Sequence, residues 1–165
     1  MKQLVCLLLP MFFSVSVMAG SIDYDKLVFL DAEALAEAGI KEAYEELLPE
    51  LKRYVQNSVK IEERLDADQP RYSVVAAGIE YVVYAPGLID EEGQSWGRAT
   101  WAFFDIVNRQ LTGSQYRFYA ISGGNDLGGM FLTAAEVEEF KNSLGKKSDW
   151  PYLPTQEHPW YGQEH

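Results

Sequence analysis

The spacing of the apolar residues changes near residue 59, and this change limits the folds that the chain can adopt. In residues 31–55, "DAEALAEAGIKEAYEELLPELKRYV", apolar side chains recur every three or four positions, which places them on one face of a helix. From Val59 onward, "VKIEERL" alternates apolar with charged side chains, which predicts a half-buried strand. A chain with both patterns is expected to be α+β, with helix and sheet sharing a core.

The N-terminal helix carries signals for its beginning and for an interruption. Asp31 precedes the first apolar turn and is a suitable N-cap, because its carboxylate can accept a hydrogen bond from a free backbone N–H group. Gly39 and Pro49 both disfavour a continuous helix, so we expect them to divide or kink it. The apolar face consists of Ile40, Tyr44, Leu47, Leu48, Leu51 and Val55.

Four further segments have the composition of strands. They are residues 71–85, 96–107, 116–121 and 128–132. Gly78 interrupts the first of them and predicts a bulge or bend. The links between the segments are short, and short links force antiparallel neighbours. After the last segment, Thr133 and Glu136 form a capping box that predicts a short C-terminal helix.

These elements predict a two-layer α+β sandwich, in which a long N-terminal helix packs on an antiparallel sheet of four or five strands. A helix followed by a meander of strands is similar to the cystatin-like arrangement, and the similarity concerns architecture alone. We expect one domain over residues 20–147 and an extended tail over residues 148–165 that docks on it. The tail either completes the core or offers an aromatic surface to a partner. Its aromatic residues are Trp150, Tyr152, Trp160 and Tyr161.

Residues 1–19 have the features of a cleaved secretory signal peptide. Lys2 precedes an apolar stretch, and Val17 and Ala19 occupy the small-residue positions before the expected cleavage site. We therefore expect export to the periplasm. A retained membrane anchor is the alternative, but the stretch is short for a span of about 20 residues and Pro10 interrupts it. Cleavage removes the single cysteine, Cys6, so the roughly 145 mature residues must be held by an ordinary hydrophobic core.

Acidic residues outnumber basic ones in the chain as a whole. The sequence has 14 basic and 25 acidic residues and a net charge of −11, which becomes −12 when Lys2 leaves with the leader. A field of this sign repels nucleic acids and anionic membranes and steers a basic partner toward the protein. We expect no metal or other cofactor, because the mature chain lacks cysteine and its two histidines, His158 and His165, lie in the tail.

Two polar loops, "PGLIDEEGQS" and "SGGNDLGG", are the predicted partner-binding segments. The second is rich in glycine, yet it lacks the Lys and Ser or Thr of a phosphate-binding loop and the spacing of a dinucleotide fingerprint. Its glycines are typical of a turn with positive φ or of a protruding recognition loop, and a calcium site stays an alternative. The predicted partner-binding residues are Asp90, Glu91, Glu92, Ser122, Gly123, Gly124, Asn125 and Asp126.

Residues that could carry chemistry are few. The sequence has no G-x-S-x-G nucleophile motif, and no cysteine follows the leader. Glu80 and Asp105 lie in apolar segments, where a buried carboxylate would have a raised pKa and could act as an acid. An acid facing solvent from one side of a sheet is the simpler interpretation. Tyr81, Trp101 and Phe103 could instead line a ligand pocket between the helix and the sheet.

Three functional hypotheses follow from these features. The first is a periplasmic inhibitor or immunity-type protein that binds a basic, envelope-acting enzyme through its loops. At the level of class, this resembles periplasmic lysozyme inhibitors and the immunity proteins that neutralise secreted antibacterial effectors. The second is a small-ligand carrier, and the third is a carboxylate-based hydrolase. Because no catalytic set is visible, we expect a binding protein and not an enzyme.

The leader generates a prediction about the exported form. We expect mass spectrometry of that form to show a chain that begins at Gly20 or Ser21, because the small residues before these positions favour cleavage there. A mature mass that still includes Lys2 would contradict both the cleavage and the periplasmic location.

Overall fold

The computed structural model describes residues 23–66, 68–88 and 93–165. The predicted leader and three of the predicted partner-binding residues, Asp90, Glu91 and Glu92, lie outside these ranges. Within the described ranges, no helix has the length and apolar character needed to cross a membrane.

The chain is α+β, with two antiparallel sheets. The helices are α1 (Ala32–Glu37), α2 (Ile40–Leu51), α3 (Gln94–Gln110) and α4 (Ala134–Ser143). The strands are β1 (Val28–Phe29), β2 (Ile61–Asp66), β3 (Arg71–Ala76), β4 (Ile79–Tyr84), β5 (Tyr116–Ile121) and β6 (Gly128–Thr133). One sheet has the order β1-β6-β5 and the other the order β2-β3-β4.

The predicted arrangement, a long N-terminal helix on a single sheet of four or five strands, is wrong. Six strands in the described residues form two three-stranded sheets, and the N-terminal helical segment is divided. The division falls at Gly39, as predicted, where the backbone φ of +117° cannot continue a helix. Pro49, by contrast, does not divide the helix. It lies in the last turn of α2, which continues for two more residues to Leu51.

The largest error concerns residues 96–107, predicted as a strand, which belong to α3. The buried side chains of α3 recur at helical spacing on one broad face, which packs against α1, β4 and β5. The helical period is therefore present in the sequence, and the strand prediction is wrong because it followed the aromatic content of the segment, which favours a strand on propensity alone. The buried residues are Ala99, Thr100, Ala102, Phe103, Phe104, Ile106 and Val107.

Residues 71–85 were predicted as one strand and instead form the hairpin of β3 and β4. Ala76 pairs with Ile79, and the two residues between them, Ala77 and Gly78, have φ values of 49° and 81°. Positive φ at both positions is the geometry of the tight turn that matches strand twist. The other three predicted strands are confirmed as β2, β5 and β6, although Leu65 on β2, expected to be buried, is 73% exposed.

The core is organised around Phe118 of β5. Its ring lies 4.9 Å from that of Phe104 on α3 and 4.6 Å from that of Phe131 on β6, measured between centroids. Gly129 lies beside it on the same face of the sheet, and a Cβ at that position would overlap the Phe118 ring. The glycine is therefore needed for the close approach of an aromatic side chain.

The opposite face of the same sheet is covered by α4. Met130 and Leu132 of β6 pack with Val137 and Phe140 of α4 in a second apolar cluster. The predicted capping box is confirmed at the start of this helix: Glu136 accepts a hydrogen bond from the backbone N–H of Thr133 at 2.7 Å, and the Thr133 hydroxyl accepts one from the Glu136 N–H at 3.3 Å.

The free edge of β5 is occupied by a side chain and by the C-terminal segment. The amide of Asn108 on α3 accepts a hydrogen bond from the N–H of Phe118 at 2.8 Å and donates one to its carbonyl at 2.9 Å. Two residues further on, Ala120 exchanges both backbone hydrogen bonds with Tyr152, at 2.8 and 3.0 Å. The tail then reaches α3, where the Tyr161 hydroxyl donates to the carbonyl of Gln94 at 3.2 Å.

The contact between Gly129 and Phe118 generates a stability prediction. Replacing Gly129 with Ala forces a methyl group into the ring, and overpacking of this kind typically costs about 1–3 kcal/mol of unfolding free energy. Urea denaturation measures the change. Gly145→Ala is the matched control, because a Cβ there meets no atom within 4 Å. An equal loss of stability in both variants would contradict the packing role of Gly129.

Candidate functional site

The predicted binding residues of the second loop lie between β5 and β6. Gly124–Asp126 form a single 3-10 turn that is exposed to solvent. The loop is bound at two points: the Ser122 carbonyl accepts a hydrogen bond from the Tyr152 hydroxyl at 2.9 Å, and the Asn125 amide donates to the Glu33 carboxylate at 3.2 Å. The loop therefore lies against α1 and the tail, and does not stand away from the sheet.

A groove opens between β1, α1 and α2. We call it the acidic groove; it has a volume of about 360 Å³. Its lining residues are Phe29, Leu30, Asp31, Ala34, Leu35, Ala38, Gly39, Glu42, Ala43 and Glu46. Three of these are carboxylates and none is basic. Phe29 is 85% exposed, which leaves an aromatic ring in water at the end of a sheet edge. The Asn125–Glu33 hydrogen bond joins the loop to α1, one wall of this groove.

The position of α2 in the acidic groove is fixed by side chains from the other sheet. Gly39 provides no side-chain cap for α2. Instead the Tyr72 hydroxyl accepts a hydrogen bond from the Ile40 N–H at 2.7 Å and donates one to Glu63 at 2.6 Å. Glu63 in turn accepts a hydrogen bond from the Lys41 N–H at 3.0 Å. Burial, and then the hydrogen bond to Glu63, raise the pKa of Tyr72 well above its ordinary value.

A second depression, the aromatic cleft, lies between β4, α3 and the tail and has a volume of about 350 Å³. Its lining residues are Glu80, Tyr81, Val82, Gln94, Arg98, Trp101, Gln156, His158 and Tyr161. Two of the three aromatic residues proposed for a ligand pocket, Tyr81 and Trp101, border it, with ring centroids 5.3 Å apart. Tyr81 is only 2% exposed, so Trp101 provides the accessible ring of this pair. The third residue, Phe103, is fully buried in the core and does not line the cleft.

Glu80, considered as a catalytic acid, faces solvent on β4. Its carboxylate accepts hydrogen bonds from the Ser73 hydroxyl at 2.7 Å and from Arg71 at 3.2 Å. The Ser73 hydrogen bond, followed by that of Arg71, holds the pKa of Glu80 below its ordinary value. This is the reverse of the raised pKa that a general acid needs.

Asp105, the other candidate acid, lies on α3 and not on a strand. It accepts a hydrogen bond from the Tyr81 hydroxyl at 2.8 Å and one from Arg109 at 2.6 Å. Burial, and then the hydrogen bond to Asp105, raise the pKa of Tyr81 to about 12. Both acids are thus held by an arginine and a hydroxyl group. No cluster of three metal-ligating side chains occurs in the part of the chain that the structure describes.

Comparison of the chain with protein families, with curated proteins and with solved structures gives no significant match. The acidic groove and the aromatic cleft are therefore the two features of the molecule that bear on its function. The sequence did not reveal the groove, because its lining residues come from three separate elements. The sequence also does not show whether an apolar residue near a strand, such as Phe29, is exposed or buried. The one signal in the sequence was a pair of small residues, Ala34 and Ala38, which face solvent on α1 and leave space for the groove.

The capping of α2 generates a second stability prediction. Removing the hydroxyl in Tyr72→Phe leaves the buried Ile40 N–H without its partner, so we expect a loss of about 1–3 kcal/mol in unfolding free energy. Tyr84→Phe is the matched control, because among the described residues the Tyr84 hydroxyl has no hydrogen bond while its ring packs on Tyr72. Chemical denaturation measures the unfolding free energy of both variants. If Tyr72→Phe and Tyr84→Phe lose the same unfolding free energy, the Tyr72 hydroxyl does not cap α2.

Proposed function

We propose that this chain is an exported, non-catalytic binding protein of the inhibitor or immunity type. In this proposal it acts in the periplasm, where it neutralises a basic enzyme that degrades an envelope component such as peptidoglycan. The acidic groove and the adjoining loop of Ser122, Gly123, Gly124, Asn125 and Asp126 form the binding surface. The observation that carries the proposal is the exposed Phe29 ring beside a groove that is lined by carboxylates and by no basic residue.

The composition of the groove supports a basic protein partner. Binding energy at protein interfaces concentrates in a few buried aromatic or arginine anchors, and Phe29 offers such an anchor. Asp31, Glu42 and Glu46 surround the apolar floor. Charges at a rim of this kind chiefly raise the rate of association with an oppositely charged partner. An arginine or lysine of the partner could place its aliphatic stem on the floor and its charge against the carboxylates.

The loop supports the same assignment. Asn125 joins it to Glu33 on α1, and the neighbouring Asp126 is exposed, so the loop adds a further carboxylate near the groove. Asp90, Glu91 and Glu92 lie outside the described residues. We retain them as predicted steering charges for the same partner, with no position assigned.

The proposal gives the chain no catalytic role and no cofactor. It is supported by the state of Glu80 and Asp105, because each forms an ion pair with an arginine and accepts a hydrogen bond from a hydroxyl group. A carrier of small ligands is the second candidate function, and the aromatic cleft favours it because the half-buried rings of Trp101 and Tyr161 border an open depression.

The experiment uses the mature chain and the enzyme encoded by the neighbouring reading frame, because inhibitors of self-intoxication are commonly encoded beside their toxin. We expect Phe29→Ala to weaken binding about tenfold or more, since it removes the central anchor. The double variant Glu42→Gln and Glu46→Gln should slow association at low salt and flatten its salt dependence. Surface plasmon resonance measures both rates, and a peptidoglycan-hydrolysis assay measures inhibition.

Matched controls separate the groove from general surface effects. Leu65 is also highly exposed but lies on β2, and Glu138 is an exposed acid on α4. We expect Leu65→Ala and Glu138→Gln to leave both rates unchanged. Absence of inhibition by the wild-type chain, or equal effects of Phe29→Ala and Leu65→Ala, would overturn the proposal.

A further inference from the structure

The walls of the aromatic cleft come from three separate parts of the chain. Trp101 projects from α3 and Tyr81 from β4, with their rings inclined at 51° to each other. Tyr161 of the tail forms the third aromatic wall, and its hydroxyl donates a hydrogen bond to the carbonyl of Gln94 at the start of α3. The tail is thereby held beside the sheet edge, and the half-buried rings of Trp101 and Tyr161 present aromatic surface to solvent.

The charges that border the cleft are balanced and engaged within the protein. Glu80 pairs with Arg71 at 3.2 Å. The Arg98 Nε donates to the carbonyl of Val83 at 2.5 Å, and its terminal nitrogen donates to Gln94 at 3.4 Å. One acid and one base, each bonded to the protein, give the cleft no excess charge with which to select an ion. In this it differs from the acidic groove.

The remaining polar groups can both donate and accept hydrogen bonds. Gln156 and His158 of the tail are exposed at the rim, and Gln94 lies at the start of α3. Amide and imidazole side chains provide both hydrogen-bond donors and acceptors. Small-molecule sites commonly combine an apolar or aromatic lining with a few such groups, and a volume of about 350 Å³ lies in their usual range.

We infer that the aromatic cleft binds a neutral sugar of one or two rings. A sugar ring has a face of C–H groups, which are attracted to the negative face of an aromatic ring, and a rim of hydroxyl groups that both donate and accept. The half-buried rings of Trp101 and Tyr161 receive the C–H face, while Tyr81, which is 2% exposed, packs against Trp101. Gln94, Gln156 and His158 receive the hydroxyl groups. A cation would face Arg98, and an anion would face Glu80, so neither is favoured. This inference is independent of the proposed function, because the cleft and the acidic groove share no residue.

The first test titrates the full mature chain with cellobiose and with N,N′-diacetylchitobiose. Tryptophan fluorescence and two-dimensional NMR are the readouts, with choline and inorganic phosphate as charged probes. We expect a saturable response to at least one disaccharide in the millimolar range or below, with shifts confined to residues of the cleft. No response to either disaccharide, or an equal response to choline or phosphate, would overturn the inference.

The second test uses variants. Trp101→Ala should weaken sugar binding by on the order of tenfold, and its result is interpreted together with its melting temperature because Trp101 also packs against the core. Gln156→Ala and His158→Ala change exposed tail residues, and each should weaken binding about three- to tenfold through a lost hydrogen bond. An unchanged dissociation constant in both tail variants would overturn the assignment.

Phe29→Ala serves as the control for both proposals. It should leave sugar binding unchanged, because Phe29 lies in the acidic groove and not in the cleft. If this variant loses the protein partner and keeps the sugar, the two sites are separate. If the wild-type chain binds no enzyme and still binds the sugar, the proposed function fails and the sugar site stands.

Discussion

The stacking of Phe118 between α3 and β6 is the contact on which the other elements depend. The Phe118 ring contacts those of Phe104 on α3 and Phe131 on β6, and the Phe131 ring in turn stacks on that of Tyr54 at a centroid distance of 4.3 Å. Tyr54 follows α2, so one column of rings connects α2, α3 and the β1-β6-β5 sheet. Aromatic side chains bury a large area each, and offset contacts add about 0.5–1.5 kcal/mol per pair to that burial. Without disulfides, this packing has to provide most of the cohesion between layers.

The same strand also determines where the tail lies. A β-strand at the edge of a sheet has backbone groups that must find partners. Asn108 satisfies those of Phe118, and Tyr152 satisfies those of Ala120. Once Tyr152 is paired, the chain that follows returns to α3, where the Tyr161 ring lies over Gly97 so closely that a Cβ there would overlap it. The aromatic cleft is therefore a consequence of how the edge of β5 is completed.

Local signals in the sequence predicted the local features correctly. Each of these features depends on a few neighbouring residues, so its sequence pattern does not depend on how distant parts of the chain pack. They are the capping box of Thr133 and Glu136, the interruption at Gly39 and the strands β2, β5 and β6. The Ala77–Gly78 turn was missed because alanine rarely adopts positive φ, and a pair such as Asn-Gly is the usual signal.

The error at α3 has a different origin, since two local signals conflict there. The apolar residues recur at helical spacing on one broad face, whereas the aromatic content of the segment favours a strand on propensity, and the strand prediction followed the second signal. The predicted strand also implied that Asp105 lies on a sheet, whereas in the structure Asp105 is on α3 and accepts a hydrogen bond from Tyr81 of β4. The acidic groove could not be predicted, because it depends on tertiary structure. Phe29 and Glu46 belong to different elements, and only the folding of α1 and α2 against β1 brings them together.

The two candidate sites differ most in how their charges are used. Glu80 and Asp105 each form an ion pair with an arginine, so the electric field of each carboxylate falls off over a short distance. Among the described residues, Glu42 and Glu46 have no ion pair, and they lie with Asp31 around an apolar floor. Unpaired charges of one sign act over about a Debye length, near 8 Å at physiological salt, whereas a paired acid acts only on what touches it. In the proposed function, the carboxylates of the acidic groove would therefore attract a basic partner from a distance. The sugar that we infer for the aromatic cleft would instead be selected by shape and hydrogen bonding.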